Sequence, residues 1–397
     1  MIISYPDLSF AASLSGLQIW WKFVFPALLP YFILSEILLG LGVIHAMGVL
    51  LEPLMKRLFR LPGASGWAVA MSITIGIPAG AKTAVDLRKK VLVNTDEGNL
   101  LLALSHLCSP IFLTTVVAVG FWGNPELGMP LLFIHLVSAL LTGFILAHFI
   151  FRKRSKVTIM QQPKRPLYIT LCQTMRHARD HDGRPFGKLL GEAVSTSCQS
   201  LFIIGGMMIF FSVLLEILSI LGWTATLTRV IQVVLIPWGM PAALAEGAMA
   251  GVLEIHLGTY AIAQHGETSV WTASMLSAVI GWGGLSIHAQ VKSFIRGTDL
   301  RYRTFLLARM IQMFVSALTA LLTWDALQQF THTVSPVFWM HHSMTSQPEY
   351  IPTSWWDLGW VWTSTFFIMI FFVLILMMFS LLLYGLQRMR AFKFFNF

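Results

Sequence analysis

Residues 281–290 read Gly-Trp-Gly-Gly-Leu-Ser-Ile-His-Ala-Gln and follow an apolar run, Val270 to Ile280, that is long enough to enter a lipid bilayer. Two adjacent glycines, a serine, a histidine and a glutamine therefore stand where a spanning helix should stay apolar. An unpaired backbone amide in lipid costs several kcal/mol, so a helix that breaks at this depth must face protein or a water-filled cavity. Polar side chains at this depth indicate a functional site.

Composition indicates a helical membrane protein. The chain has 397 residues, 56% hydrophobic and 11% charged, whereas a soluble domain carries about a quarter charged residues. The net charge of +9 comes from loops beside apolar runs, a pattern that orients membrane proteins and does not indicate a nucleic-acid partner. Single, widely spaced cysteines predict no disulfide, metal or cofactor. P-loop, GxSxG and HExxH motifs are absent, so we expect no catalytic residues and no enzyme.

The distribution of positive charge predicts the topology. Lys and Arg concentrate in these segments: 56–60, 88–90, 152–188, 292–303 and the C-terminal tail. Loops of this kind lie in the cytoplasm. That placement is consistent only if residues 62–84 and 226–263 each enter and leave on one side of the membrane. Both would then be re-entrant hairpins, broken near Gly76–Gly80 and Glu254–Gly258. The alternative, two ordinary spans in place of the first hairpin, would leave the 56–60 loop outside.

The two halves of the chain match in the order of their segments. Glu36 and Glu216 stand in similar apolar contexts about 180 residues apart, and Gly80 corresponds in the same way to Gly258. Inverted repeats with discontinuous helices are typical of secondary transporters, whose substrate site lies at the repeat interface. We therefore predict an all-α polytopic transmembrane bundle with two inverted repeats, each with a re-entrant helical hairpin.

This prediction divides the chain into the following parts: an N-terminal interfacial segment at 1–24, a first repeat at 25–151, a basic cytoplasmic loop at 152–194, a second repeat at 195–325, an extracytoplasmic loop at 326–357 and a C-terminal transmembrane helix with a basic tail at 358–397. Within the repeats, residues 23–51 and 100–122 are each predicted as one span. The lipid bilayer is the expected partner, and a homo-oligomer is left open.

Three motifs resemble those of a known family. They are Ile75–Lys82 (Ile-Gly-Ile-Pro-Ala-Gly-Ala-Lys), Leu253–Gly258 (Leu-Glu-Ile-His-Leu-Gly) and Gly284–Val291 (Gly-Leu-Ser-Ile-His-Ala-Gln-Val). They are similar to motifs of the YlbJ family of sporulation integral membrane proteins, and the resemblance covers roughly residues 15 to 325. It implies paired nucleoside-recognition or gate domains, related to parts of nucleoside transporters and of a ferrous-iron permease. It also implies a role in endospore formation: moving dipicolinic acid across the outer forespore membrane.

The predicted substrate-binding residues lie in or beside the interrupted segments: Gly76, Pro78, Gly80, Lys82, Ser109, Pro110, Glu254, His256, Gly258, Gly284, Ser286, His288 and Gln290. Dipicolinate is a flat pyridine with two carboxylates, so its site needs positive partial charge, hydrogen-bond donors and a flat face. Half-helix N-termini point N–H groups at anions. Histidine, serine and glutamine side chains supply further donors.

Several of these side chains have a structural alternative. Lys82 either adds a full charge to the site or extends to the cytoplasmic interface. Trp282 offers a flat face, whereas Gly284 and its neighbour allow close helix contact. Glu254 pairs with Lys82 or a histidine, or binds a coupling proton. Glu36 and Glu216 are interpreted as partners of the hairpin backbone, and His106 is expected to bond a neighbouring carbonyl.

Two other functions stay open at this stage. The first is a carrier of nucleosides or a related small solute. The second is a membrane scaffold for spore-envelope assembly that transports nothing. A scaffold would tolerate the loss of Lys82, His256 and His288 as long as the protein inserts, whereas a carrier would not.

Overall fold

The computed structural model of the chain describes residues 3–151, 166–265 and 267–334. The first half forms these helices in order: α1 (Pro6–Gly40), α2 (Val43–Leu58), α3 (Ser65–Ile75), α4 (Ala79–Lys89), α5 (Thr95–Leu104), α6 (Phe112–Phe121) and α7 (Pro125–Ile150). The intervening helix is α8 (Leu167–Asp182). The second half forms α9 (Phe186–Ile220), α10 (Trp223–Leu235), α11 (Leu244–Leu253), α12 (Ile255–His265), α13 (Val270–Trp282), α14 (Gly284–Phe294) and α15 (Tyr302–Val334).

Five stretches of helix within the described residues are long and apolar enough to cross a membrane. They are Pro6–Gly40, Pro125–Ile150, Phe186–Ile220, Val270–Phe294 and Tyr302–Gln329. The prediction of an all-helical protein with several spans is thereby confirmed. The predicted C-terminal helix at 358–397, and the part of the predicted loop beyond residue 334, lie outside the described residues.

The helix boundaries differ from the prediction at the start of each half. Helix α1 begins at Pro6, so most of the predicted interfacial segment is continuous with the first span. The predicted span at 23–51 was wrong as a single helix, because Gly42 takes φ +80 and separates α1 from α2. A left-handed residue ends an α-helix, and glycine adopts it without steric cost. In the second half, α9 begins at Phe186, within the predicted basic loop.

Both predicted interruptions end a helix, and at the second one the chain turns back on itself. Helix α3 ends before Gly76, and α11 ends before Glu254. Gly251 packs against Gly258, while Gly247, nearer the start of α11, packs against Ile262, nearer the end of α12. This order of contacts makes α11 and α12 an antiparallel helical hairpin.

Residues 100–122, predicted as one span, are also interrupted. Helix α5 ends at Leu104 and α6 begins at Phe112, so this prediction was wrong. The peptide groups between them bond to side chains of other helices: Leu107 N–H donates to Ser72 Oγ (2.8 Å), and Cys108 N–H donates to His135 Nε2 (3.0 Å). A break inside lipid requires such partners, and Pro110 disfavours helix in the residue before it.

The first helices of the two halves, α1 and α9, pack antiparallel. Gly16 lies against Ser212 and Gly40 lies against Leu189, so positions late in α1 meet positions early in α9. Trp20 Nε1–H, near the middle of α1, donates to Leu201 O (3.0 Å). The two halves are therefore joined along this helix pair.

A second contact joins the halves outside the spans. Arg88 of α4 donates through Nε to Asp299 Oδ1 (2.9 Å) and through Nη2 to Asp299 Oδ2 (2.8 Å), and the Thr95 hydroxyl also donates to Asp299 Oδ2. Asp299 precedes α15, whereas Arg88 and Thr95 belong to the first half. These bonds to Arg88 and Thr95 hold the pKa of Asp299 well below its usual range.

We expect Asp299→Asn to lower the thermal stability of the purified protein slightly at neutral pH. The side chain of Asp299 is 47% exposed, and exposed ion pairs contribute about 0–1 kcal/mol. Because the folded-state pKa is depressed, the contribution is present above the unfolded value of about 3.9 and is lost as the pH falls below it. The Tm difference from wild type should therefore shrink in acid. Asp180→Asn, in the exposed pair with Arg176, is the control and should change little. A pH-independent difference would contradict the assignment.

Candidate functional site

A small cavity lies where the interruptions of the two halves meet. Its volume is about 50 Å³, and one water molecule needs roughly 10–15 Å³ of such space. The first half lines it with Leu28, Phe32, residues 75–78, Cys108, Ser109 and Phe112. The second half lines it with Ile204, Ile255, His256, Ile287 and Gln290. The cavity is mostly apolar with a few polar groups, which is the usual make-up of a small-molecule site.

On the first half, the break between α3 and α4 brings two predicted residues to the cavity, Gly76 and Pro78. Gly76 has φ +90 and ψ −162, a conformation essentially restricted to glycine. A Cβ on Gly76 would lie 3.2 Å from the backbone N of Ser109. Glycine therefore lets the break approach Ser109, and Ser35 Oγ–H bonds to Thr74 O just before it (3.3 Å).

On the second half, Glu254 forms the break and His256 reaches the cavity. The Glu254 side chain is 2% exposed. Its Oε2 accepts from Leu257 N–H (2.8 Å), and its Oε1 lies 2.8 Å from His256 Nδ1. A carboxylate that bonds an N–H in the first turn of a helix caps it and complements its dipole. The N-terminus of α12 is therefore already capped by a side chain of the protein, so it is not a site for an anionic substrate.

The side chains of the motif at residues 281–290 are divided between two faces of α14. Ile287 and Gln290 line the cavity. His288 instead stacks on Trp282 at 4.2 Å, bonds through Nε2 to Trp282 O (3.2 Å) and through Nδ1 to the Tyr302 hydroxyl (2.9 Å). A carbonyl only accepts, so Nε2 carries the proton. His288 therefore fastens α14 to α13 and α15.

The breaks at Gly76 and Glu254 are each in close contact with another segment through a glycine. Gly284, at φ +76, packs on the backbone of Glu254 and Ile255, and a Cβ there would lie 2.9 Å from Ile255 N. Gly76 packs on Ser109 in the first half. Glycine at 284 is therefore needed both for its backbone conformation and for its close approach.

Of the predicted site residues, the structure brings five to the cavity: Gly76, Pro78, Ser109, His256 and Gln290. The others lie away from its lining: Gly80, Lys82, Pro110, Glu254, Gly258, Gly284, Ser286 and His288. Lys82 is exposed. The Trp282 ring stacks on His288, its Nε1–H donates to Val252 O (3.0 Å), and it does not line the cavity. The aromatic residues that line the cavity are Phe32 and Phe112.

A buried cation in α15 was missed by the sequence reasoning. Arg309 is fully buried and donates to Ala103 O (2.7 Å) and His106 O (3.4 Å) at the end of α5. The ring nitrogens of His106, expected to bond a carbonyl, have no hydrogen-bond partner in the described part of the chain. A lone charge inside an apolar span was the signal that could have identified Arg309.

Among the described residues, no group of three or more His, Cys, Asp or Glu side chains lies close enough to hold a metal ion. A family model described as Gate, nucleoside recognition, matches residues 21–125. Over 331 residues the chain is 35% identical to the sporulation integral membrane protein YlbJ of Bacillus subtilis (strain 168), and the match covers 83% of this chain and 81% of that protein. No solved structure matches.

Proposed function

The chain belongs to the YlbJ family of sporulation integral membrane proteins, and from that membership we propose that it is a transporter of dipicolinic acid across the outer forespore membrane. The observation that carries the proposal is the cavity between the two halves, lined by both interrupted hairpins. Secondary transporters bind substrate at this kind of interface, where discontinuous helices end.

Inverted symmetry of the two halves is part of the proposal. It is supported by helix boundaries that recur in the two halves. Helix α1 begins at Pro6 and α9 at Phe186, and each is followed by a glycine with positive φ, Gly42 and Gly222. The corresponding helices α1 and α9 pack antiparallel, as a two-fold axis in the membrane plane would require. On this basis α3–α4 and α11–α12 are re-entrant hairpins that enter the bilayer from opposite sides.

The chemistry of the cavity suits a flat, apolar ring with polar edges. Phe32 and Phe112 offer aromatic faces, and Ser109 and Gln290 offer hydrogen-bond donors. Helices α4 and α6 begin at the cavity lining, next to Pro78 and at Phe112, and the N-terminal end of a helix dipole favours carboxylate groups. His256 forms an edge contact with the Phe112 ring (5.1 Å) and stays close to Glu254.

The cavity has room for a few water molecules, so substrate must enter through a more open conformation. The hairpins are the elements that would move, because each is a short pair of helices that pivots on its break. Closure around a ligand by such elements is a common transition in transporters.

A nucleoside carrier is the second candidate, since residues 21–125 match the family model described as nucleoside recognition. Ser109 and Gln290 would bond a ribose or a base as readily as a carboxylate. Titrating the purified protein with dipicolinate and with uridine separates the two: tighter binding of uridine would favour the nucleoside carrier.

The proposal is tested by deleting the gene in its spore-forming host. We expect spores poor in dipicolinate while the mother cell still synthesises the acid. Spores with a normal dipicolinate content would contradict the proposed function. A non-transporting scaffold predicts that variants which line the cavity, and which insert normally, restore the content fully.

Gln290→Leu is the variant for that comparison. It keeps the size of the side chain but removes a donor from the cavity, and one hydrogen bond to a charged group contributes about 1.5–3 kcal/mol. Dipicolinate binding should weaken roughly tenfold to a hundredfold, and spore dipicolinate should fall at normal protein levels. Gln232→Leu is the matched control, since Gln232 lies on α10 with an exposed bond to Ala242 O (3.3 Å). Equal spore dipicolinate in both strains would argue against a binding role.

A further inference from the structure

Within the part of the chain that the structure describes, Arg309 is a buried cation without an acidic partner. It is 0% exposed in the first third of α15, and no Asp or Glu pairs with it among the described residues. By contrast, Arg88 pairs with Asp299, and Arg184 pairs with both Asp182 and Glu192. A buried charge without a counter-charge is strongly destabilising, and charges inside a span mark substrate and ion pathways.

The groups around Arg309 leave hydrogen bonds unmade. A guanidinium has five N–H donors, and two carbonyls, Ala103 O and His106 O, take up bonds from Nη2 and Nη1. The Arg309 Nε–H, both ring nitrogens of His106 and the Nε2 amide of Gln312 have no partner in the described structure. His106 and Gln312 are each 1% exposed. A neutral imidazole donates from one ring nitrogen only, so the unused donors here are the Arg309 Nε–H, one ring N–H of His106 and the Gln312 amide. Such buried donors around one positive charge match an anion.

The two carbonyls that accept hydrogen bonds from Arg309 offset only part of its positive charge. They belong to the C-terminal end of α5, which carries a partial negative charge of roughly half an electron. A purely structural cap would be satisfied by these bonds, but it would not explain why Arg309 Nε–H, the His106 ring and the Gln312 amide have no partner among the described residues. Buried polar atoms in native proteins nearly always have partners.

Only a thin stretch of chain separates this cluster from the cavity. Residues 105–109 are not helical. Cys108 and Ser109 line the cavity on one side, and the carbonyls of Ala103 and His106 bind Arg309 on the other. In this stretch the N–H groups of Leu107 and Cys108 donate to Ser72 Oγ and His135 Nε2 and not to helix carbonyls, so the stretch can shift without breaking a helix.

We propose that Arg309, with His106 and Gln312, binds one carboxylate of the transported aromatic dicarboxylate once residues 105–109 move aside. The inference rests on the proposed function. The second carboxylate then stays at the cavity, near Ser109 and Gln290. Arg309 is thereby the group that distinguishes a dicarboxylate from a monocarboxylate of the same ring.

The test measures this selectivity in the purified full-length protein by calorimetric titration with dipicolinate and with picolinate, which lacks one carboxylate. We expect wild type to bind dipicolinate at least tenfold more tightly. Arg309→Gln should bring the two affinities to within about twofold of each other. Arg303→Gln, an exposed position on the same helix, is the matched control and should keep the wild-type ratio.

His106→Phe covers the case in which Arg309→Gln does not fold. The His106 side chain makes no hydrogen bond to lose, and phenylalanine keeps its edge contact with Phe305 (5.0 Å). We expect the preference for dipicolinate to fall several-fold in this variant. This inference alone would be overturned if folded Arg309→Gln kept the wild-type ratio of dipicolinate to picolinate affinity. If Arg309→Gln does not fold, the same ratio in His106→Phe would overturn it. Wild-type protein that binds neither acid would overturn the proposed function together with it.

Discussion

Gly258→Ala is expected to prevent the second hairpin from packing and to lower the free energy of unfolding by about 3 kcal/mol. A Cβ at this position would lie 2.1 Å from Gly251 Cα and 2.4 Å from Gly251 N. Both neighbours are backbone atoms, so no side chain can move aside. The two helices would have to separate, and His256 and Ile255 would leave the cavity with α12.

The comparison is with Gly206→Ala, measured by thermal unfolding in detergent and by the amount of protein in the membrane. Gly206 lies on α9, and a Cβ there would meet nothing within 4 Å. Because alanine favours helix over glycine by up to about 1 kcal/mol, this variant should be as stable as wild type or slightly more so. Equal stability of the two variants would mean that α11 and α12 are not in close contact.

Glu254→Ala is expected to have the second largest effect, because it removes a buried carboxylate that two groups depend on. Leu257 N–H and His256 Nδ1 would both lose their partner. A lost helix cap costs about 0.5–2 kcal/mol, and a buried unpaired donor costs about 1–3 kcal/mol. We expect a total near 3 kcal/mol, with low protein levels in the membrane.

Glu254→Gln separates this capping role from a role of the charge. The amide oxygen of glutamine can still accept from Leu257 N–H, and its amide nitrogen can donate to His256. We expect near-normal Tm and protein levels, because both bonds survive. A Tm as low as that of Glu254→Ala would mean that the negative charge, rather than the hydrogen bonds, stabilises the hairpin.

The predicted interruptions at Gly76, Glu254 and Gly284 are present because they depend on local chemistry. Glycine permits the positive φ that Gly76 and Gly284 adopt, whatever surrounds them. The interruption before Pro110 was not predicted. It requires Ser72 and His135 to bond the freed N–H groups, and the chain places these two residues far from the break in sequence.

The sequence identified the segments that form the site, but it did not identify which side chains in those segments face the cavity. In the opening motif, Ile287 and Gln290 reach the cavity, whereas Ser286 and His288 do not. Neighbouring residues on a helix point in directions about 100° apart. Which of them face the cavity depends on how α14 is rotated against α13 and α15, and the stacking of His288 on Trp282 helps to set that rotation.

Sequence alone was enough to identify a helical membrane protein whose helices are interrupted at Gly76 and Glu254. Overall hydrophobicity and the backbone freedom of single residues are local properties, so they can be read along the chain. Two features could be seen only in the folded chain: Glu254 caps α12, and Arg309 lies at the end of α5 with no acidic partner among the described residues. Both depend on which groups meet after packing, because the state of a buried charge is set by its neighbours in space.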